Sequence, residues 1–138
     1  MFFLDSAAVY RNEEDIGSAL QQFLPKYNLK REDIFLTTKL APSDHGSSRV
    51  VSAVQKSLRN LQTSYIDLYL IHWPGAGGVR VDSKENAKLR SETWQALVEL
   101  KKQGVLRSIG VSNYTVRHLK ELLSNCYGVK PAVNQVCF

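Results

Sequence analysis

Cysteine is scarce: Cys126 and Cys137 are the two in 138 residues. They form no CxxC and no metal-ligand spacing, and two are too few for a disulfide framework, so they read as buried thiols in a reducing compartment. Long apolar runs are missing as well. The opening MFFL meets Asp5 at once, so no signal-peptide core is expected, and no stretch approaches the roughly 20 apolar residues of a membrane span. These absences predict a cytoplasmic chain with no membrane partner. Low-complexity tracts and linkers are lacking, which predicts one domain or part of one. The 18 Lys and Arg exceed the 13 Asp and Glu, but they are scattered and interrupted rather than massed. They read as solvated faces, and no nucleic-acid partner is expected. Neither HExxH nor a paired-carboxylate arrangement occurs, and no serine or cysteine has a base of its own nearby in sequence, so metal-dependent, glycosidic and acyl-transfer chemistries lack their usual residues.

What is present suits a globular fold, with 43% hydrophobic and 22% charged residues. Short apolar runs alternate with stretches of helical period. Strands are predicted at FFLD (2–5), IFLTTKL (34–40), IDLYLIHW (66–73), SIGVSN (108–113) and AVNQVCF (132–138). Between them, Asn12 with Asp15 starts a helix ending at Pro25, and Val50, Val54, Leu58 and Leu61 form the stripe of a second helix from Ser48. Ser91 caps a third helix carrying Trp94, Leu97 and Val98, with Gly104 beyond its end, and Thr115 opens a fourth running to about Asn125. Residues 74–90 read as a long loop, functional or mobile. Strict alternation predicts right-handed βαβ units, a parallel sheet and an α/β class. Strand starts near 2, 34, 66, 108 and 132 approximate the roughly 31-residue step of an eight-unit barrel. Five strands and four helices also suit a small doubly wound sheet, and spacing alone leaves both open.

In parallel α/β folds chemistry gathers at the carboxyl ends of strands. Each predicted strand carries a polar side chain there: Asp5, with Tyr10 in the following turn, then Lys39, His72, Ser112 with Asn113, and Gln135. Singly, each has an ordinary explanation. Asp5 can cap a helix, Lys39 can be a solvated strand exit, His72 a half-buried hydrogen-bonded histidine, and Ser112 or Asn113 a cap for the next helix. Gln135 inside an apolar strand is harder to dismiss, because a buried amide without partners costs roughly 1–3 kcal/mol. Together the five point to one face.

Asp, Tyr, Lys and His on one face suit a proton-donating site. A free phenol releases its proton only near about pH 10, and a neighbouring ammonium stabilises the phenolate and eases that transfer, a part Lys39 can play for Tyr10. Asp5 can hold the ammonium charged and in place. A neutral His72 can donate to an incoming carbonyl oxygen, so that Tyr10 delivers a proton as a nucleophile reaches carbon. A hydride fits best as that nucleophile, and Ser112, Asn113 and Gln135 suit the carboxamide of a nicotinamide ring.

The stretches DSAAVYRNEEDIG (5–17), LTTKL (36–40), DLYLIHWP (67–74), IGVSNY (109–114) and VNQV (133–136) resemble the aldo-keto reductases, in that family's order and near its spacing. The resemblance implies a (β/α)8 TIM barrel, NADPH as cofactor, and reduction of aldehydes or ketones to alcohols by hydride transfer with tyrosine donating the proton. It carries the family's catalytic tetrad onto Asp5, Tyr10, Lys39 and His72, and its cofactor contacts onto Asp5, Ser112, Asn113 and Gln135. Val9, Tyr10, His72 and Trp73 match substrate-pocket positions. A full-length member is expected to be a monomer acting on a small aldehyde or ketone. Against that pattern residues 1–138 are expected to form an incomplete barrel domain of about five parallel strands and four main helices, from the family's second strand to its sixth. The first strand and the C-terminal part, with its stacking aromatic and 2′-phosphate grip, are expected to be missing. Met1, Phe2 and Phe3 depart from the usual approach to the aspartate. The alternative reading is a catalytically inactive truncated isoform or a non-enzymatic interaction module, since two strand edges would lie unpaired.

Overall fold

The computed structural model describes residues 2–136. Five strands, β1 (Phe2–Asp5), β2 (Ile34–Leu40), β3 (Ile66–Ile71), β4 (Leu106–Ser112) and β5 (Asn134–Gln135), alternate with four helices, α1 (Glu13–Lys26), α2 (Ser47–Asn60), α3 (Glu85–Lys102) and α4 (Val116–Ser124). The strands are parallel and lie in the order β1-β2-β3-β4-β5. Sequential order decides what spacing left open. A doubly wound sheet reverses its order at a switch point, whereas a barrel adds each strand beside the last. The chain is therefore an arc of a (β/α) barrel.

The two faces follow from period-two alternation. Leu36, Leu40, Tyr69, Ile71, Ile109 and Val111 point outward and are buried under the helices. The opposite, inner face carries Phe3, Asp5, Phe35, Thr37, Leu68, Leu70, Val133 and Gln135 along a cleft of about 410 Å³. Gly110 lies on this inner face opposite Leu70. A Cβ there would come within 2.8 Å of both Leu70 Cδ2 and Val133 O, so only glycine allows β3 and β5 to close in over β4.

Several boundaries differ from expectation. Pro25 lies inside α1 and does not end it. In α2 Ser57 is buried while Leu58 is only partly so. β3 stops at Ile71, so His72 and Trp73 have already left the strand. The largest difference is α3, which begins at Glu85 rather than behind a cap at Ser91. Ser91 Oγ instead pairs with Tyr127 OH at 2.9 Å. The loop before α3 is shorter than expected and fastened: Asn86 accepts from Ala76 N at 3.0 Å and donates to Arg80 O at 2.8 Å. Thr115 caps α4 as expected. The fifth strand is reduced to two residues, and Cys137 and Phe138 lie outside the described residues. Cys126 is partly rather than fully buried. No helix among the described residues is long and apolar enough to cross a membrane.

Candidate active site

Lys39 is the centre of the polar strand ends. As the sixth residue of β2 it points inward, and at 2% exposure it is no solvated strand exit. A buried ammonium is tolerable only when paired. Its Nζ donates to Asp5 Oδ1 and, at 2.9 Å, to Ser6 O. The other oxygen of Asp5 accepts from Gln135 Nε2 at 2.9 Å. Asp5 therefore caps no helix. It ties β2 to β5 across the mouth of the arc, joining the first strand to the last.

Tyr10 ends a 3-10 turn, Ala8–Tyr10, and is 50% exposed. Lys39 Nζ lies 5.5 Å from the centre of its ring. The His72 ring meets it edge-on, with centres 5.8 Å apart and planes at 85°. The turn reverses through Arg11, whose φ of 58° is left-handed. It is fastened at its base by Ser6 Oγ donating to Asn12 Oδ1 at 2.5 Å and Thr38 Oγ1 donating to Glu13 Oε1 at 2.7 Å. Asn12 thus occupies the N-cap position of α1 while its side chain serves the turn.

His72 is buried, and its Nδ1 has no partner among the described residues. Burial, then the Lys39 ammonium, hold the ring's pKa below its ordinary value against the opposing pull of Asp5. The neutral imidazole keeps one N–H to donate. Trp73 stacks on it, centres 6.1 Å apart and planes at 23°. Val9 borders a separate polar pocket of about 430 Å³ that Glu13, Asp44 and Lys56 also line.

Ser112, Asn113 and Gln135 form one cluster. Ser112 Oγ donates to Gln135 O at 2.7 Å, Asn113 N donates to the same carbonyl at 2.9 Å, and Asn113 Nδ2 donates to Ser112 Oγ and to His72 O, both at 3.1 Å. Neither Ser112 nor Asn113 caps α4. Asn113 sits at φ 59°, a left-handed conformation asparagine tolerates better than most residues. Gln135 Nε2 is committed to Asp5, and its Oε1 is buried without a partner among the described residues. An amide N–H is the complement such an acceptor lacks, which fits a carboxamide in this corner.

Sequence reasoning passed over His45 and Arg90. His45 Nε2 lies 3.1 Å from Trp73 O, and Arg90 Nη1 donates to Pro74 O at 3.0 Å while Nε and Nη2 grip Glu121 at 2.7 and 2.8 Å. Their burial is the signal, and sequence does not display it for a loop histidine or a helix arginine.

The aldo/keto reductase family model matches residues 1–138. Glyoxal reductase of Bacillus subtilis (strain 168) is 44% identical over 135 residues, which is 98% of this chain and 43% of the relative. Methylglyoxal reductase DkgA of Escherichia coli (strain K12) is 41% identical over 133 residues, 96% of this chain and 42% of its own. Among solved structures, the Bombyx mori aldo-keto reductase in complex with NADP superposes with a TM-score of 0.87 at 38% identity, covering 99% of this chain and 43% of that one. The chain spans less than half the length of the curated relatives it matches.

Proposed function

The chain belongs to the aldo/keto reductase family, and on that footing we propose that its strand ends reduce a small aldehyde or ketone with NADPH. The observation carrying this reading is the convergence of the buried Lys39 and its more exposed partner Asp5 with the Tyr10 and His72 rings at one rim of the sheet. Tyr10 is the proton donor: its phenol is exposed at the rim, with an ammonium at hand to stabilise the charge left on it. Asp5 orients Lys39. His72, kept neutral, donates to the carbonyl oxygen and fixes its direction, and Trp73, stacked on it, flanks the substrate. Gln135, Ser112, Asn113 and Asp5 hold the nicotinamide carboxamide. The bound cofactor supplies hydride, and the residues of this chain position the carbonyl and deliver the proton. Relatives named for glyoxal and methylglyoxal favour short, reactive aldehydes as substrates.

A chimera tests the reading, with residues 1–138 replacing the matching segment of the Bacillus subtilis relative. Methylglyoxal-dependent NADPH consumption that vanishes in Tyr10→Phe while NADPH affinity holds is the expected result. Equal turnover of the two forms removes Tyr10 from the role.

One observation favours a second reading, a non-enzymatic interaction module. The outer edge of β1 pairs with no described strand, and Phe3 beside it is 74% exposed. Positioning of reactants is worth roughly 7–11 kcal/mol, and an arc whose outer edges at β1 and β5 pair with no described strand holds them poorly. The 138 residues by themselves are expected to consume no NADPH above background with methylglyoxal. Saturable turnover abolished by Tyr10→Phe excludes the module reading.

A further inference from the structure

After His72 N, which still donates to Leu40 O at 3.4 Å, the chain leaving β3 has no ladder bond among the described residues, yet three successive carbonyls are each met by a side chain from a different element. His72 O receives Asn113 from the end of β4, Trp73 O meets His45 from the β2–α2 connection, and Pro74 O receives Arg90 from α3. The last two bonds involve buried polar groups with no part in the proton chemistry. Burial, and after it the Arg90 and Arg49 guanidiniums, keep the His45 ring neutral. A neutral ring has one N–H, and at Nε2 it meets a carbonyl that can only accept. Arg90 is neutralised by Glu121 on two nitrogens, which leaves Nη1 for Pro74. Trp73 is 49% exposed and its ring stacks on His72, so its stance depends on how its backbone is held.

We propose that His45 and Arg90 are positioning residues that fix the Trp73 backbone, and through it the indole wall that selects which carbonyl compounds reach His72. The role in selection rests on the reading of Trp73 as a flank of the carbonyl site. The fixing of Trp73 does not, and the two are separable by experiment.

The chain has two tryptophans, so a 15N-labelled sample gives two indole N–H resonances. The Trp94 indole, buried and donating to Cys126 O and Val129 O at 3.1 Å, serves as an internal control. In His45→Leu and in Arg90→Met the Trp73 resonance is expected to move and its ring contacts to His72 to disappear from nuclear Overhauser spectra, with Trp94 unmoved. His45→Gln, whose amide can reach the same carbonyl, is expected to restore both. In the chimera, His45→Leu should lower kcat/KM roughly tenfold or more for a bulky aldehyde relative to methylglyoxal. A Trp73 resonance unmoved in both folded variants overturns the positioning role. Equal movement of Trp94 overturns it as well, because the effect is then general repacking, and loss of the fold in both variants makes the residues requirements of folding instead. Displacement of Trp73 with unchanged selectivity refutes the substrate-wall reading and leaves the positioning intact.

Discussion

The two ends of the sheet pair their buried charges alike but treat the polar groups around them in opposite ways. At the amino end, Asp67 accepts from Arg31 at 2.9 Å, Leu36 N at 3.0 Å and Arg107 at 3.3 Å. Arg31 adds bonds to Thr63 Oγ1, Ile34 O and Tyr65 O, and both guanidiniums lie against the Tyr65 ring, 4.2 and 3.8 Å from its centre. Among the described residues, no buried side-chain polar atom of that cluster lacks a partner. At the carboxyl end Lys39 is as well paired, yet His72 Nδ1 and Gln135 Oε1 are buried without partners among the described residues and Tyr10 stands half in solvent. A saturated cluster has nothing left to offer a ligand. One with open valences costs stability by itself and gains by binding, which is why a site differs from a structural ion pair of the same residue types.

Substitutions at the two ends should therefore separate activity from stability. The largest effect expected is Tyr10→Phe in the chimera, which lowers kcat by roughly 10²- to 10⁴-fold with an unchanged melting temperature; a large drop in melting temperature breaks the contrast. At the other end, Asp67→Ala strips two guanidiniums and a backbone N–H of a buried acceptor. It should cost about 3 kcal/mol in urea titration of the chain, with residual chimera activity keeping its KM.

His45 sharpens the comparison through pH. Its pKa, ordinarily 6.5, is pushed down to about 4 by burial and by the Arg90 and Arg49 charges, against Trp73 O and Asp44. The unfolded chain takes up this proton near 6.5 and the folded chain only near 4. The contribution is complete above about pH 6.5 and is lost as pH falls toward 4, by up to roughly 3 kcal/mol. Urea midpoints over that range should decline in the wild type and flatten in His45→Gln; parallel slopes reassign the loss to other groups. The smallest effect belongs to Arg107→Ala. Its side chain is 53% exposed, so solvent screens the pair and less than about 1 kcal/mol is expected.

The parts of the fold legible in the sequence were those with short-range causes. The β2 run from Ile34 to Leu40 and the Thr115 cap were visible because propensity and capping act over a few residues. The start of α3 was not: Arg90 and Thr93 are polar residues held by partners far along the chain, Asn86 is buried by the loop before the helix, and together they conceal its apolar stripe. The strand-end rule put Asp5, Lys39, His72, Ser112 and Gln135 on one rim in advance, since it depends on chain direction alone. The fastening of the Tyr10 turn by Glu13 and Thr38, and of the Trp73 carbonyl by His45, joins groups 25 and 28 residues apart. No local pattern encodes such pairs.

The missing methyl at Gly110 works as a spacer of zero thickness. Of the two atoms a Cβ would strike, Leu70 Cδ2 belongs to a side chain that could rotate or shrink, whereas Val133 O belongs to the backbone of the segment leading into β5 and cannot. No second substitution elsewhere can absorb an alanine there. Gly110→Ala would have to push β5 sideways, carrying Gln135 with it and stretching the 2.9 Å bond to Asp5 that joins the rim's first strand to its last. A hydrogen atom in the middle of β4 thus sets the bore of the half-barrel's mouth, one strand away from the strand that leads to His72.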